Sequence, residues 1–264
     1  MLGTRILSAT LALPFFLYLV YLGGWPHLGM VILLAILGLR EFFNLWGARG
    51  WRGYPWLAYG GAVLLSLDAF WFTPPRFSGV VLTLTLVLAV CLPVIRRRSP
   101  DPGEMAVTVA GLLYVGWFFS FLVALRQGGY PGGWAWELLA LGITWSNDTV
   151  AYLVGMALGR HRLCPEVSPG KTVEGALAGL LAAGVTAMVL GSAALGRGNW
   201  WLLGLVGGVT AQAGDLLESG LKRMAGVKDS GSILPGHGGV LDRFDSLLLV
   251  APLVYAYRLM SIIV

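Results

Sequence analysis

The segment from Ser219 to Asp245 holds the residues whose types and spacing best suit phosphate chemistry. Its sequence, SGLKRMAGVKDSGSILPGHGGVLDRFD, places cationic and carboxylate side chains on a glycine-rich backbone between two apolar segments. Cations hold phosphate groups, and carboxylates hold metal ions that neutralise them. The segment therefore predicts a site that binds phosphates together with a divalent cation.

Acidic and basic side chains also meet where the preceding apolar segment ends. Asp215, Glu218 and Lys222 lie at i, i+3 and i+7, so they share one face of a helix. Ionisable groups within a membrane span are costly and usually face a cavity, although an internal salt bridge is the alternative. Lys222, Arg223 and Lys228 alternate with acids, which favours polyphosphate binding over a merely solvated loop.

The end of the segment offers a second pair of carboxylates and a glycine turn. Asp242 and Asp245 flank Arg243 in a D-R-F-D cluster, and such oxygen-rich pairs suit Mg²⁺, though D-x-x-D also occurs in solvated loops. The preceding turn, P-G-H-G-G at 235–239, allows backbone N–H groups to converge on an anion. His237 in this turn either contacts a phosphate, relays a proton or fixes the turn.

A polar run interrupts an earlier apolar segment. Asn147 and Asp148 lie in the middle of the run 134–158, and an aspartate inside the membrane indicates function unless it is a buried structural group. Asp68 stands alone in its span, which favours a structural role. Residues 168–175, S-P-G-K-T-V-E-G, precede a helix that Ser168 or Thr172 can cap. Lys171 then lies at a helix N-terminus, where anions bind.

Composition indicates the class of protein that positions these residues. The 264 residues are 57% hydrophobic and only 12% charged, whereas a soluble domain carries about a quarter charged residues. We therefore predict an all-α polytopic membrane protein with one membrane domain, 1–264, in which 1–140 are N-terminal helices and 141–264 carry the catalytic helices and loops. Cys91 and Cys164 form no disulfide framework and are interpreted as packing residues.

Apolar segments of membrane-spanning length predict about nine transmembrane helices. Tryptophans cluster at several of their ends, as interfacial residues do. We expect the first segment to be a retained anchor. The predicted spans are 5–23, 27–46, 55–73, 77–95, 105–125, 134–158, 173–195, 200–221 and 247–264.

Basic residues predict the orientation. With the N-terminus in the cytoplasm, thirteen Lys and Arg residues fall in cytoplasmic segments and three on the other side. This bias accounts for the net charge of +5 without nucleic-acid binding. It also places the polar segments 159–172 and 222–246 on the cytoplasmic side, so the active site is predicted at the cytoplasmic edge of the C-terminal helices.

Glycine pairs spaced by four residues predict close helix packing in the last third of the chain. The same glycine faces would also suit a homodimer. The pairs are Gly155 and Gly159, Gly175 and Gly179, and Gly204 and Gly208.

The run 219–245 resembles the signature of the phosphatidate cytidylyltransferases, also called CDP-diacylglycerol synthases. The stretch 144–175, with N-D-T-V-A-Y and S-P-G-K-T-V-E-G, resembles a second region of that family, while 1–140 resembles it only in hydrophobic layout. The signature positions that match are Ser219, Lys222, Arg223, Lys228, Asp229, Gly231, Leu234, Pro235, His237, Gly238, Gly239, Asp242, Arg243 and Asp245.

The resemblance implies that CTP and phosphatidate react to CDP-diacylglycerol and pyrophosphate, with Mg²⁺ required, at a bacterial inner membrane. Under this interpretation Asp215 and Asp242 bind the metal, Asp245 is a third metal ligand or a partner of the other two, and the number of carboxylates also permits a second ion. Lys222 belongs to the catalytic group with these aspartates. Substrate-binding positions are Lys171, Ser168, Arg223, Lys228, His237, Gly238, Gly239, Arg243, Asn147 and Asp148.

Two other functions compete with this one. A CTP-dependent polyprenol kinase would transfer the terminal phosphate to a lipid alcohol and would need a general base. An ion-coupled transporter would use Asp68, Asp148 and Asp215 as an ion path near the midplane of the membrane. Most polar groups here are predicted at the cytoplasmic edge instead, which favours the enzyme.

Overall fold

Helices make up almost all of the regular structure. The computed structural model describes residues 2–97, 99, 101–127, 132–231, 233 and 238–263. The helices are α1 (Leu2–Leu22), α2 (Gly24–Gly47), α3 (Pro55–Trp71), α4 (Ser78–Ile95), α5 (Pro102–Gly111), α6 (Phe118–Gln127), α7 (Gly133–Leu158), α8 (Val173–Ala194), α9 (Trp200–Ala225) and α10 (Leu241–Ile263). A π-helical stretch, Leu112–Trp117, joins α5 to α6, and two short strands, β1 (Arg162–Cys164) and β2 (Ser168–Thr172), form an antiparallel hairpin.

This architecture confirms the prediction of an all-α membrane protein. Five helical segments in the described part of the chain are long and apolar enough to cross a membrane: Gly24–Gly47, Ser78–Ile95, Pro102–Gln127, Val173–Ala194 and Leu241–Ser261. Each predicted span overlaps a helix. The count of nine spans and the orientation stay predictions.

The chain divides into two compact units. The first unit comprises Met1–Gly128 with Ala225–Arg243, and the second comprises Gly129–Met224 with Phe244–Val264. The core of the first unit is built from the buried faces of α2, α3 and α6, where branched aliphatic and aromatic side chains are almost fully enclosed. They include Val31, Leu39, Phe42, Leu65, Phe119 and Leu122.

Asp68 has the structural role that the sequence favoured. Its side chain is buried in the first unit at the end of α3. The carboxylate accepts hydrogen bonds from the backbone N–H groups of Arg76 (3.0 Å) and Phe77 (3.0 Å) and from the hydroxyl of Ser78 (2.8 Å). Because these donors lie at the start of α4, Asp68 satisfies groups that the helix cannot pair itself.

The second unit depends on close packing of α7 against α8. A Cβ atom at Gly175 would lie 3.0 Å from the Cα atom of Gly155, and one at Gly179 would lie 2.8 Å from the carbonyl oxygen of Asn147. Glycine at these positions therefore allows the two backbones to meet, as the spacing predicted. Gly204 of α9 approaches α8 in the same way, with a virtual Cβ 2.6 Å from the Cα atom of Gly184.

The hairpin that leads into α8 was not predicted as strands. The sequence placed only a helix cap there, and Thr172 is that cap, since its hydroxyl accepts the N–H of Gly175 at 3.2 Å. Glu174 closes the other side, where its carboxylate accepts the N–H of Arg160 at 3.0 Å and contacts Nδ1 of His161 at 2.6 Å. The hairpin is thus tied to the first turn of α8.

Two helix ends differ from the predicted spans. Helix α9 continues to Ala225 rather than ending at 221, and α10 begins at Leu241 rather than 247. The predicted spans stop near charged residues because they were defined by apolar sequence, whereas the backbone hydrogen bonds of the helices continue beyond them. An aspartate in the first turn of α10 and basic residues in the last turn of α9 also complement the helix dipoles.

We predict that Gly204→Ala destabilises the chain by about 1–3 kcal/mol, because the added methyl group meets the backbone of α8. Gly60→Ala is the matched control, since nothing lies within 4 Å of a virtual Cβ there. The control should be neutral or stabilised by up to about 1 kcal/mol. Thermal unfolding of the purified full chain in detergent measures both. Equal melting temperatures for the two variants would contradict the packing argument.

Candidate active site

A cavity of about 530 Å³ lies within the second unit. It is bounded by α7, the hairpin, the start of α8 and the middle of α9, so residues from distant parts of the sequence meet there. Its apolar wall includes Tyr152, Met156 and Leu163. Its polar wall consists of Asn147, Asp148, Arg162, Ser168, Lys171, Thr172, Gln212 and Asp215.

An ion pair lies on the polar wall. The Lys171 ammonium on β2 contacts a carboxylate oxygen of Asp215 on α9 at 2.6 Å, and the hydroxyl of Ser219 donates to the other oxygen at 3.3 Å. The side chains of Lys171 and Asp215 are 23% and 32% exposed, so the pair remains accessible from the cavity. It combines a phosphate-binding cation with a carboxylate at one position.

An amide network fixes the neighbouring aspartate. Nδ2 of Asn147, a fully buried residue, donates to Asp148 at 2.9 Å. Nε2 of Gln212 donates to Oδ1 of Asn147 at 3.0 Å and to the carbonyl of Ala176 at 2.9 Å. Gln212 therefore links α9 to α7 and α8, and it orients the amide that holds Asp148. Asp148 in turn lies within electrostatic range of Asp215 and Lys171.

Asp245 on α10 joins this acidic group. It lies within electrostatic range of Asp215, Glu218 and Asp148. Helices α9 and α10 approach closely here, because a virtual Cβ at Gly214 would lie 2.7 Å from the carbonyl oxygen of Asp245. Several carboxyl groups therefore lie near one another where α9 and α10 approach, two of them already paired with lysines.

The remaining cations of α9 already have protein partners. Lys222 contacts Glu218 at 2.5 Å in an i,i+4 ion pair, and Glu218 is only 2% exposed, so the predicted alternative of an internal salt bridge holds for Glu218. Nε of Arg223 donates to the carbonyl of Val167 in the hairpin at 3.4 Å. Arg223 therefore lies beside the loop that carries Ser168.

Residues 226–240, between α9 and α10 in the first unit, are called the signature loop. Asp242, in the first turn of α10, accepts hydrogen bonds from this loop. Its carboxylate accepts the N–H of Ser230 at 3.0 Å, the hydroxyl of Ser230 at 3.0 Å and the N–H of Gly239 at 2.8 Å. The N–H of Gly239 is thus directed at a protein carboxylate in this structure. Asp242 closes the loop between residues 230 and 239 onto the first turn of α10.

A second carboxylate supports the same loop. Glu41 of α2 accepts the N–H groups of Val240 and Leu241, each at 2.9 Å, and its Oε2 also lies 3.2 Å from the hydroxyl oxygen of Ser230, whose one proton it shares with Asp242 as alternative acceptor. The sequence predicts Glu41, beside Arg40, to form an internal or interfacial pair, and it gives no sign of the contact with Ser230, 189 residues away.

The structure brings together part of the predicted site. Asn147, Asp148, Ser168, Lys171 and Asp215 line one cavity. Lys222, Arg223 and Asp245 belong to the same unit as that cavity, whereas Lys228, Gly238, Gly239, Asp242 and Arg243 belong to the first unit. His237 lies outside the described residues. The substrate, catalytic and metal roles of all these residues stay predictions.

Comparison with known proteins identifies the family. The sequence profile of the cytidylyltransferase family matches residues 3–261. The chain belongs to the cytidylyltransferase family. The chain is similar to phosphatidate cytidylyltransferases of Staphylococcus epidermidis (36% identical, 95% of this chain and 96% of the relative) and Synechocystis sp. (34%, 96% and 95%). It is also 34% identical to the phosphatidate cytidylyltransferase of Brucella abortus, over 97% of this chain and 93% of the relative.

Three polar residues of this cytidylyltransferase-family cavity are not among the predicted site residues: Arg162, Gln212 and Thr172, the last predicted only as a helix cap. Gln212 was passed over because a lone glutamine in an apolar helix is a weak signal. Arg162 was counted only as a basic residue that marks orientation. These residues reach the cavity through tertiary packing, because the fold places the hairpin and one face of α9 next to α7.

We predict that Asn147 and Gln212 are energetically coupled. Asn147→Ala and Gln212→Ala should each destabilise the chain, and the double variant should differ from their sum by about 0.5–3 kcal/mol, because both changes break one network. Thr210→Ala is the control for the same helix, since its hydroxyl bonds only the local carbonyl of Val206. Chemical unfolding of the full chain measures the cycle. Strict additivity of Asn147→Ala with Gln212→Ala would show that the network carries no coupling.

Proposed function

We propose that this chain transfers the cytidylyl group of CTP to phosphatidate, which forms CDP-diacylglycerol and pyrophosphate in phospholipid biosynthesis. The observation that carries the proposal is the accessible Lys171–Asp215 pair beside Asp148, in a membrane protein 34–36% identical to phosphatidate cytidylyltransferases. Both proposed substrates are polyanions. A site for them needs cations to hold phosphate groups and carboxylates to hold a compensating metal ion.

The reaction is an in-line displacement at phosphorus. A phosphate oxygen of phosphatidate forms a bond to the α-phosphorus of CTP, and the bond from that phosphorus to the oxygen bridging to the β-phosphate breaks. The bond electrons leave with pyrophosphate. The attacking oxygen is already ionised at neutral pH, so no general base is required. The task of the protein is to hold two mutually repelling anions in line.

The ion pair supports this task because its two members suit different partners. Lys171 would bind a substrate phosphate, and that exchange would release the Asp215 carboxylate from its contact at 2.6 Å. Asp148 is held in place by Asn147, so it can act without reorganising the cavity. The ion pair would therefore open as the substrate binds.

The donor set fits a magnesium ion. In the described part of the chain no three His, Cys, Asp or Glu residues are grouped as a ready-made metal site. Mg²⁺ is commonly held by one or two carboxylates plus substrate phosphates and water rather than by a complete protein cage. Asp215 and Asp242 would hold it, with Asp245 as a third ligand or as a partner that orients the other two, and the number of carboxylates permits a second ion. When bound, the ion would neutralise charge that develops on the phosphoryl oxygens and pyrophosphate.

The shape of the cavity supports a lipid substrate. Beside its charged residues, the cavity is lined by Tyr152 and Met156, which are 67% and 68% exposed. A headgroup could then lie against Lys171 while acyl chains stay in the bilayer. The other predicted phosphate-binding and orienting groups are Lys222, Arg223, Lys228, Arg243, Ser168, Asn147, His237, Gly238 and Gly239.

We further propose nine membrane spans, an N-terminus in the cytoplasm and an active site facing the cytoplasm at a bacterial inner membrane. The support is the excess of thirteen Lys and Arg residues over three between the two predicted sides. CTP is a cytoplasmic solute, so this orientation gives it access. Nucleic acid is no partner under this proposal, and the glycine faces leave a homodimer as a further expectation.

The decisive experiment is pyrophosphate release by the purified full chain in detergent. CTP, Mg²⁺ and phosphatidate are supplied together and then omitted one at a time. The lipid product is identified and quantified by mass spectrometry. Release that needs all three, with an equal amount of CDP-diacylglycerol, supports the proposal. CDP formed only with a lipid alcohol would establish the kinase instead, and absence of both reactions in folded protein would favour a transporter.

We predict that Asp215→Asn lowers turnover at least about 100-fold, because it removes the charge that compensates the metal ion. The variant keeps the size of the side chain, so thermal unfolding should show a folded protein. Asp101→Asn is the matched control, since Asp101 only caps α5 through the N–H of Gly103. The control should stay within about twofold of wild type. Equal activities of the two variants would refute the role of Asp215.

A further inference from the structure

Glu41 is a buried anion placed at the start of a helix. Its residue is only 1% exposed, and its carboxylate accepts the N–H groups of Val240 and Leu241 at 2.9 Å. These N–H groups lie at the N-terminus of α10, where four backbone donors lack partners within the helix and the dipole favours a negative charge. Glu41 therefore occupies a position that a phosphate would otherwise suit.

The signature loop is shaped around this carboxylate. A Cβ atom at Gly231 would lie 2.6 Å from Oε1 of Glu41, and one at Gly239 would lie 2.5 Å from Oε2. The added atom at Gly239 would lie closer still to the hydroxyl oxygen of Ser230. Glu41 therefore sets the steric requirement at Gly231, and Glu41 and Ser230 set it together at Gly239.

Ser230 connects Glu41 to Asp242. Its hydroxyl lies 3.2 Å from Oε2 of Glu41 and 3.0 Å from Oδ2 of Asp242, while its N–H donates to Asp242 at 3.0 Å. The N–H of Gly239, adjacent to the two donors that Glu41 engages, also donates to Asp242. The donors to Asp242 given above are thus Ser230, which contacts Glu41, and Gly239, which adjoins a residue bonded to Glu41.

We propose that Glu41 is a positioning residue for Asp242: it fixes Ser230 and residues 239–241 so that the Asp242 carboxylate is presented in one orientation. The inference rests on the proposed function, in which Asp242 helps to hold the metal ion. Under this proposal Glu41 acts through Asp242 and would not itself touch the metal ion or the substrate. Groups that orient a metal-binding carboxylate typically alter metal affinity or activity by about 10- to 100-fold when they are removed.

A purely structural role is the competing explanation, and Asp68 provides its matched control. Asp68 is also a buried carboxylate of the first unit that accepts three hydrogen bonds at the start of a helix. Its hydrogen-bond partners are residues 76–78 at the start of α4, and none of its partners in the described residues belongs to the signature loop. Glu41→Gln and Asp68→Asn therefore make the same chemical change in comparable surroundings, and only one of them touches the partners of Asp242.

The test compares wild type with these two full-length variants in three measurements. Backbone amide exchange of a peptide covering 238–245 reports the loop. Titration with Mn²⁺ alone, followed by electron paramagnetic resonance, reports metal affinity without substrate. Steady-state kinetics with CTP and phosphatidate separate kcat from KM, and thermal unfolding records the loss of stability.

We expect Glu41→Gln to accelerate exchange in the peptide at least about 10-fold, and to weaken Mn²⁺ binding and lower kcat by about 10- to 100-fold. KM for CTP should change less than about threefold, since the lost interaction acts on turnover. Asp68→Asn should lose thermal stability but keep exchange in the peptide, Mn²⁺ affinity and kcat near wild type.

The inference would be overturned if Glu41→Gln kept the amide-exchange rate and Mn²⁺ affinity of the wild type. It would also be overturned if Asp68→Asn changed both quantities as much as Glu41→Gln does. If Glu41→Gln does not fold, Ser230→Ala replaces it, because it removes the hydroxyl that bridges the two carboxylates. Weaker Mn²⁺ binding in that variant supports the inference, and unchanged binding overturns it. A wild-type protein without turnover would refute the proposed function, while the exchange and Mn²⁺ measurements would still decide the role of Glu41.

Discussion

The structure depends on the cost of enclosing carboxylates in a protein that is mostly apolar. An ionised side chain away from water must find a cation or several hydrogen-bond donors, or it destabilises the fold. Asp215 has Lys171, Glu218 has Lys222, and Glu41 has two backbone N–H groups and a hydroxyl. The contacts of Asp215 and Glu41 join segments that are far apart in the sequence, whereas the Glu218–Lys222 pair lies on one face of a single helix. The compensation of negative charge therefore also determines where the loops of the molecule are held.

These partners of the carboxylates differ in how easily a bound ligand could replace them. That difference distinguishes a carboxylate suited to binding ligands from one suited to supporting the structure. The Lys171–Asp215 pair is partly exposed on a cavity wall, so an anion and a metal ion can take the places of its two members. Glu41 is enclosed and bonded to backbone groups, which no ligand can replace without opening the loop. Glu218 is equally enclosed beside Lys222. An exposed pair suits turnover, whereas enclosed carboxylates suit the support of residues that take part in it.

Much of the helical layout could be predicted because hydrophobic length in a membrane is a strong local constraint. The segment 173–195 and helix α8, Val173–Ala194, nearly coincide, and Thr172 caps the helix as its residue type suggested. The hairpin before α8 could not be predicted, because strands of three and five residues carry little pattern. The acids and Lys171 were recognised from their charge in an apolar sequence. The partners of Gln212 and Glu41 could not be predicted, since they lie 65 and about 200 residues away in the sequence.

The glycines of the signature show how one pattern can satisfy two different physical demands. A glycine-rich turn before a helix is typical of anion binding, and that was the basis for interpreting 235–239 as a phosphate site. In the described part of that turn and the start of α10, the N–H groups of Gly239, Val240 and Leu241 are directed at Asp242 and Glu41. In these described residues the backbone donors do converge on anions, but the anions belong to the protein. A phosphate at these N–H groups would have to compete with two carboxylates that are already in place. Glycine at 231 and 239 is required here because the Glu41 carboxylate lies against the backbone, so a glycine-rich segment before a helix can serve an internal carboxylate as well as a bound phosphate.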